Sequence, residues 1–466
     1  MSSSSKNSVL STQYSVLLLV LILVGYFIVG GLFAIKTPAW QAPDEPAHYN
    51  YILQVANNGC CPKIEPGDWD SAYLDQLKAA RFAPDLLAKL PTIQYEDHQP
   101  PLYYLLEAPV FTLTNGSLTA LRLFSLLMGA GIVLCAYGLV RAFLPERPQV
   151  ALGTAALVAF LPQHVSILAS VSNDALSNLL IAVTLLGTVL YLKGEPAIRE
   201  WHLGLLAGLG LLTKVSTIFL IGFVPLAIIV RWWIDNRQAA GNSLQSIVKQ
   251  VTPLLAAFFI PALLLGAIWW IHSIQTYGFP DLFGLRQHDK VVTGQPRTAE
   301  YIARMGFVGY LRFMLQTSFN SFWGQFGWMG VPMPTWIYAG LLGLVAVAGS
   351  GLVINAQQSN PQSLSSAPTA IITRRIIWTF IQLAILLAIL EYIYYNTVFL
   401  QPQGRYMYTG IIPFALVIVL GIDTWRVWLS KRFRPLHPLL TVLPFVLFAV
   451  LDLYLLWRVI VPALAL

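Results

Sequence analysis

Two adjacent carboxylates, Asp44 and Glu45, lie between Pro43 and Pro46, directly after the first apolar run of the chain. The prolines restrict the backbone and so fix the direction of the acidic side chains. A carboxylate at a membrane boundary is partly desolvated, which raises its pKa and lets it take a proton from a hydroxyl nucleophile. The same residues are also typical of an acidic helix N-terminus. The sequence therefore leaves two roles open, a general base and a helix start.

Histidine and tyrosine residues accompany these acids. His48 follows them at short range, and His98 precedes a proline pair and Tyr103. A metal held by Asp44, Glu45, His48 and His98 is one interpretation, but no DxD or HExxH pattern supports it, so we expect no metal and no other cofactor. Anchoring at the membrane interface explains Tyr103. His98 returns to the face of Asp44, and His48, His98 and Tyr103 are candidate residues for binding the donor or substrate.

Four further polar residues occupy positions near the ends of apolar segments. Asp174 is readily explained as a helix cap. Lys214 interrupts an apolar segment, where an ammonium is costly unless it is paired or lines a polar cavity, although snorkelling to the interface is equally open. Arg405, followed by Tyr406, could face water or a buried anion, and arginine forks bind phosphate oxygens well. These four residues are candidates for binding a substrate.

The composition defines the class of protein that must position these residues. Hydrophobic residues make up 56% of the 466-residue chain, charged residues only 11%, and the mean hydropathy is +0.65. A soluble domain carries about 25% charged residues. We predict an all-α integral membrane protein with about eleven transmembrane segments in a single polytopic domain, residues 1–466. The net charge of +7 fits a topological excess of basic residues on the cytoplasmic side, so we expect membrane lipids and no nucleic acid as partners.

Charge and apolar length predict how the chain crosses the membrane. Residues 36–101 are net acidic and form a first outer loop that we expect to carry the active site, and residues 274–334 form a second outer loop. Residues 356–375 contain a Ser/Pro/Gln-rich stretch and are predicted to be a cytoplasmic linker. Residues 203–230 are too long for one upright helix and are predicted to form a hairpin of two short helices. The N-terminus is then cytoplasmic and the C-terminus outside.

Six motifs, taken in order, resemble the GT-C superfamily of membrane glycosyltransferases, of the protein mannosyltransferase and aminoarabinose transferase type, and its bacterial relatives. They are PDEPAHYNY, HQPPLYYLL, PQHVSILASVSNDAL, GLGLLTK, FWGQFGWMGVP and QGRYMY. The chain departs from the family pattern at Gln99, which interrupts the usual His-Pro-Pro arrangement, and it lacks a DxD motif.

The resemblance implies a GT-C-like bundle whose first outer loop carries the active site. It implies a polyprenyl-phosphate-linked sugar donor, an unknown glycan, lipid or protein acceptor, and a single inverting displacement by a hydroxyl or amine. The reaction would take place at the outer face of a bacterial-type cytoplasmic membrane. It also implies that Asp44, with Glu45 beside it, activates the acceptor, and that Arg405 stabilises the departing lipid phosphate.

Two other functions are compatible with the pattern. A secondary transporter also combines a broken helix such as the one at Lys214 with outward-facing acids, although the chain shows no internal repeat and its polar residues gather on one face. A non-catalytic lipid-binding or assembly subunit could keep the same fold. The adjacent Cys60 and Cys61 leave a vicinal disulfide and two separate thiols equally open.

Overall fold

The computed structural model describes residues 12–237, 243–358, 369–433 and 436–466. Its α-helices are α1 Thr12–Lys36, α2 Glu45–Asn58, α3 Ser71–Ala79, α4 Leu102–Leu113, α5 Leu118–Phe143, α6 Pro148–Phe160, α7 Pro162–Leu168, α8 Asp174–Lys193, α9 Glu200–Leu211, α10 Leu220–Asn236, α11 Leu244–Tyr277, α12 Leu285–Val291, α13 Thr298–Trp323, α14 Thr335–Gln358, α15 Thr369–Val398, α16 Ile411–Arg432, α17 Leu443–Val446, α18 Phe448–Leu455 and α19 Val461–Leu464. Short 3₁₀ helices are Pro84–Thr92, Val215–Thr217, Gly404–Gly410 and Pro438–Thr441, and Leu456–Ile460 is a π-helical turn. Strands β1 Gln325–Phe326 and β2 Val331–Pro332 pair antiparallel.

Within these described ranges, nine helices are long and apolar enough to cross a membrane, and α6 with α7, bent by 61°, makes a tenth. The predicted all-α membrane fold is confirmed, whereas the count of about eleven spans is not. The difference lies at α9, because its 12 residues are about 18 Å long and the hydrocarbon core of a bilayer is about 30 Å thick.

The predicted helical hairpin forms around Lys214. Helix α9 begins just after the end of α8, and its far end brings Lys214 to Asp174 at the start of α8, with 2.5 Å between Nζ and Oδ1. Helix α10 then returns, so that Arg231 donates a hydrogen bond to the carbonyl of Leu192 at the end of α8. The chain therefore turns at Lys214 and places this cation, paired with Asp174, at the Asp174 end of the bundle.

The two predicted outer loops form one layer over that end of the bundle. Residues 36–101 contain α2, α3 and the 3₁₀ helix Pro84–Thr92, and they bury a small core that includes Ala47, Leu74 and Leu77. Val292, from residues 274–334, completes this core. Cys60 and Cys61 are joined by a disulfide in the same layer.

Half of the predicted linker lies outside the described residues. Residues 359–368 lie outside the described residues, whereas the flanking parts of 356–375 belong to α14 and α15. The domain boundaries drawn from the sequence stay predictions.

Helices α14 and α16 approach each other closely through glycines. A Cβ at Gly421 would lie 2.0 Å from the carbonyl oxygen of Ala348, and one at Gly351 would lie 2.1 Å from that of Gly421. Only small residues permit such close contact of helix backbones in a membrane. This contact fixes α16, which follows directly after the segment that carries Arg405.

Candidate active site

Asp44 lies at the start of α2 but does not cap it. Its φ of 66° is in the left-handed region, which is uncommon for a residue with a side chain, and the carboxylate makes no capping hydrogen bond. Instead, Oδ1 accepts a hydrogen bond from the Tyr95 hydroxyl at 2.9 Å, and Oδ2 accepts one from Arg405 Nη2 at 2.8 Å. The backbone conformation thus directs this carboxylate toward Arg405.

Arg405 reaches Asp44 from 361 residues further along the chain. It is 7% exposed, its Nε donates to Gln403 Oε1 at 2.8 Å, and its guanidinium lies 5.3 Å from the centre of the Tyr406 ring. The preceding Gly404 packs against α13, since a Cβ there would lie 2.3 Å from the Ser318 carbonyl oxygen. Close backbone packing therefore holds the arginine in place.

A second ion pair, Asp174 with Lys214, lies near the first. Both side chains are less than one-fifth exposed, at 19% and 18%. The Asp174 carboxylate interacts electrostatically with Arg405 and His48 as well as with Lys214. Asp174 is not the helix cap that the sequence suggested, because Asn173 holds the N-cap position and Asp174 is the first residue of α8, with its side chain bound to Lys214. The structure thus brings two carboxylates and two cations from distant segments into one cluster.

Glu45, beside Asp44, has a different environment. Its fully buried carboxylate receives two hydrogen bonds from Arg122, at 2.8 and 2.6 Å, and one each from the backbone N–H groups of Trp40 and Val171. These four donors occupy both carboxylate oxygens, which leaves little capacity to accept a further proton. The geometry favours a positioning role for Glu45.

His48, Tyr103 and Tyr104 support the loop that precedes α8. The Tyr103 hydroxyl accepts a hydrogen bond from the Ser172 backbone N–H at 3.0 Å, and the Tyr104 hydroxyl accepts one from Asn173 Nδ2 at 3.4 Å. His48 Nδ1 lies 2.9 Å from the Tyr104 hydroxyl. All three side chains are buried, so they hold the residues that place Asp174.

His98 lies at the contact between residues 36–101 and residues 274–334. Its Nδ1 donates to the Tyr95 carbonyl at 3.1 Å, and its ring centre is 4.4 Å from that of His288 in α12. Burial lowers the pKa of each imidazole to about 4, so both are neutral at physiological pH. His288 in turn interacts electrostatically with Asp44. This neutral pair forms part of the wall on the Asp44 side of the cluster.

The pKa of Asp44 is lowered even though burial opposes this shift. Burial alone would raise it, but the charges of Arg405 and His48 and the hydrogen bonds from Arg405 and Tyr95 outweigh that effect. The carboxylate is therefore ionised across the physiological pH range, as a general base must be before it accepts a proton.

Several residues of the cluster were missed by sequence reasoning. Tyr95 and His288 carry no motif that would reveal them. Glu96 receives a hydrogen bond from Gln99, interacts electrostatically with His48, and forms no salt bridge with any described residue. Arg122 could have been found from the sequence, because an arginine inside an apolar helix requires an anionic or polar partner.

The four residues considered as metal ligands do not form a metal site among the described residues, which contain no group of three or more His, Cys, Asp or Glu side chains arranged to hold an ion. Glu45 is committed to Arg122, and His98 to the Tyr95 carbonyl. The expectation that no metal takes part stays a prediction.

Comparisons with known proteins identify the fold. The family model described as dolichyl-phosphate-mannose-protein mannosyltransferase matches residues 49–277, just under half of the chain. The Archaeoglobus fulgidus oligosaccharyltransferase, solved with a tethered acceptor peptide, is 13% identical over 97% of this chain and 55% of its own, with a TM-score of 0.51. Over the matched residues the chain is similar to this mannosyltransferase family, and it shares the membrane fold of the oligosaccharyltransferase.

ArnT from Cupriavidus metallidurans is a further structural neighbour. Two structures of ArnT match, one bound to undecaprenyl phosphate and one in the apo state. Each is 14% identical to this chain, with a TM-score of 0.47. The matches cover 98% and 97% of this chain and 74% of ArnT. No curated protein sequence matches this chain. The similarity to a family of transferases favours an enzyme over the transporter considered from the sequence.

Proposed function

We propose that the protein is a GT-C glycosyltransferase, which transfers a sugar from a polyprenyl-phosphate donor to an acceptor hydroxyl or amine in a single displacement that inverts the anomeric centre. The observation that carries the proposal is the 2.8 Å ion pair between Asp44 and Arg405, which joins a carboxylate base and a phosphate-binding cation at one point. The matched family model, named for a dolichyl-phosphate-linked mannose donor, supports a donor of this class.

In the proposed reaction, Asp44 accepts the proton of the acceptor hydroxyl as its oxygen attacks the anomeric carbon. The new carbon–oxygen bond forms while the bond from that carbon to the phosphate oxygen breaks, and polyprenyl phosphate leaves as the anion. Arg405 stabilises the charge that develops on this phosphate, since charge-assisted hydrogen bonds to phosphate are strong in a desolvated site. No covalent enzyme intermediate is formed.

Lys214 is the second proposed phosphate ligand. Both cations are already paired in the free enzyme, Arg405 with Asp44 and Lys214 with Asp174. The donor phosphate would therefore exchange one anionic partner for another, and this exchange frees the Asp44 carboxylate for the acceptor. Tyr406, under the Arg405 guanidinium, would limit the directions in which the arginine can turn.

His48, His98 and Tyr103 take supporting roles in this proposal. His48 and Tyr103 hold the loop before Asp174, and His98 joins the two outer loops beside the site. Glu45 fixes the start of α2 through Arg122. We place the site on the outer face of a bacterial-type cytoplasmic membrane, because the loop that carries Asp44 is net acidic.

A panel of radiolabelled polyprenyl-phosphate sugars, incubated with purified protein and candidate acceptors, tests the proposal. We expect one donor to be consumed by the wild type, and its consumption to fall sharply in Asp44→Asn. The anomeric configuration of the product, read by NMR, should be opposite to that of the donor. Retention of configuration, or donor consumption that is unchanged in Asp44→Asn, would contradict the mechanism.

A further inference from the structure

An apolar groove of about 420 Å³ lies between α1 and the last membrane segment, Leu443–Leu464. Its wall includes Leu18 and Gly25 of α1, Phe160 of α6, Leu443 and Ala449. Along α1 it extends seven residues, or about 10 Å. It lies toward the end of α1 opposite Lys36 and Asp44, so it is separate from the candidate active site.

The groove is lined by an aromatic ring within the bundle and by a polar side chain near the surface. The ring is that of Phe160, which would lie 3.1 Å from a Cβ at Gly25. Among the described residues that line it, His437 is the one with a polar side chain, and it is exposed just before Leu439 and Leu440. A space that is lined almost entirely by apolar side chains and reaches about 10 Å along α1 matches a lipid acyl chain better than a polar solute.

The entrance of the groove, at His437, lies next to a basic cluster. The cluster consists of Arg147, Arg426, Lys431 and Arg432. Arg426 donates hydrogen bonds to the Thr441 hydroxyl at 3.0 Å and to the Leu436 carbonyl at 3.3 Å, which flank His437 in the chain. Arg426 also pairs with the buried Asp423 at 2.8 Å. The cluster thus holds the segment that forms the groove entrance.

The charge of this cluster is positive. Asp423 is shared by two arginines, Arg426 and Arg147, the latter at 3.7 Å. Lys431 and Arg432, in the last turn of α16, are exposed and form no salt bridge with any described residue. Basic pockets beside membrane helices attract anionic lipid headgroups, and each nearby cation contributes to the attraction.

We propose that this groove is a binding site for an anionic glycerophospholipid. One acyl chain lies in the apolar groove between α1 and the last membrane segment, and the phosphate lies against the basic cluster at the end of α16. The bound lipid would fill a space that otherwise leaves leucine side chains of α1 and α17 exposed, including Leu21 and Leu443. This site does not depend on the proposed transferase reaction.

Native mass spectrometry of the full-length protein, titrated with phosphatidylglycerol or phosphatidylcholine, tests the proposal. We expect phosphatidylglycerol to bind at least about tenfold more tightly, because two or more cations act on its headgroup. The double change Lys431→Gln with Arg432→Gln should remove most of this preference, whereas Arg375→Gln, another exposed arginine, should leave it unchanged. Equal affinity of the wild type for the two lipids would overturn the anionic site.

A second pair of variants tests the groove itself. Leu21→Trp should fill the groove and weaken binding of both lipids, while Leu264→Trp on the exposed face of α11, outside the groove, should not. Thermal stability of both variants shows whether the fold is kept.

As a measurement on the unmodified protein, phosphatidylglycerol with a photoreactive acyl chain should cross-link to peptides of α1 and the last membrane segment. Cross-links found only elsewhere would overturn the assignment.

Discussion

The chemistry proposed here depends on one feature of individual residues, namely that each candidate phosphate-binding cation already has a carboxylate partner. Arg405 binds Asp44, and Lys214 binds Asp174. Desolvated ion pairs of this kind are costly to break unless a new partner replaces the old one. A donor phosphate is such a partner. Donor binding and release of the Asp44 carboxylate are thus linked events.

The first prediction concerns Asp44 as the base. Asp44→Asn keeps the shape of the side chain but cannot accept the proton, so turnover should fall by about 10²–10⁴-fold. Donor affinity should not weaken, because the substitution removes a competitor for Arg405. Steady-state kinetics and donor binding, measured together with thermal stability, check this. Wild-type turnover in a folded Asp44→Asn protein would place the base elsewhere.

The second prediction concerns Arg405. Arg405→Ala removes a charge-assisted contact, so donor affinity should fall by at least about tenfold, corresponding to roughly 1.5–3 kcal/mol for a hydrogen bond to a charged group. Lys214→Ala should have a smaller effect in the same direction. Binding of a polyprenyl-phosphate ligand to the purified variants measures both. Unchanged affinity in a folded Arg405→Ala protein would remove this residue from the donor site.

The third prediction concerns pH. The pKa of Asp44 is lowered in the free enzyme, chiefly by Arg405 against the effect of burial. The folded-state pKa lies below the unfolded value, so this pair stabilises the fold above the unfolded pKa, and the contribution is lost as the pH falls through the folded pKa. When a donor phosphate occupies Arg405, the pKa of Asp44 should rise. The acidic limb of the pH profile of kcat should then lie at higher pH than the acidic limb of the pH profile of kcat/KM. Coinciding limbs in the measured pH–rate profiles would contradict the exchange of partners.

The fourth prediction separates Glu45 from its neighbour. Glu45→Gln leaves the buried Arg122 without its carboxylate, so the protein should lose about 3–5 kcal/mol of stability, as expected when one partner of a buried pair is removed. Turnover per folded molecule should change far less than in Asp44→Asn. Glu146→Gln is the control, because its pair with Arg374 is about half exposed and should contribute less than about 1 kcal/mol. A Glu45→Gln protein of normal stability but without turnover would make Glu45 catalytic.

At the scale of helices, the sequence predicted the turning point at Lys214 but not the number of spans. A cation in an apolar segment with basic residues at both ends requires a hairpin, and the structure has one. The same pattern cannot tell how long each arm is, because that depends on where backbone hydrogen bonding stops. Helix α9 ends at Leu211 after only 12 residues.

The sequence also could not predict which carboxylate of the site pairs with which cation. Motif order placed Asp44, Asp174, Lys214 and Arg405 near one face, yet nothing in their spacing said which carboxylate would bind which cation. Adjacent acids looked equivalent in the sequence. The backbone at Asp44 turns its side chain toward Arg405, while Glu45 points into the bundle toward Arg122. Such opposite directions arise from tertiary packing.

The fifth prediction concerns the contact between α14 and α16. Gly351→Ala should destabilise the protein by a few kcal/mol, because the new methyl would overlap the carbonyl of Gly421 and force the helices apart. Gly343→Ala on the same helix is the matched control, since a Cβ there meets nothing within 4 Å and alanine favours a helix. Thermal unfolding in one detergent compares the two. Equal stability of the two variants would show that α16 is not held by this contact.

At the scale of the whole molecule, the proposed function depends on which side of the membrane carries the two-loop layer. We expect the first loop outside and the end of the bundle near Arg375 in the cytoplasm, since the loop is net acidic and the opposite end is rich in basic residues. Lys89 and Arg375 are both exposed, so each can be replaced by a single cysteine in a chain whose three native cysteines are removed. In intact cells, a membrane-impermeant maleimide should label the Lys89→Cys variant. The Arg375→Cys variant should be labelled only after the membrane has been made permeable. Labelling of the pair in the reverse order would place Asp44 in the cytoplasm, and an outer-face transferase would then be excluded while the fold and the ion pairs remained as described.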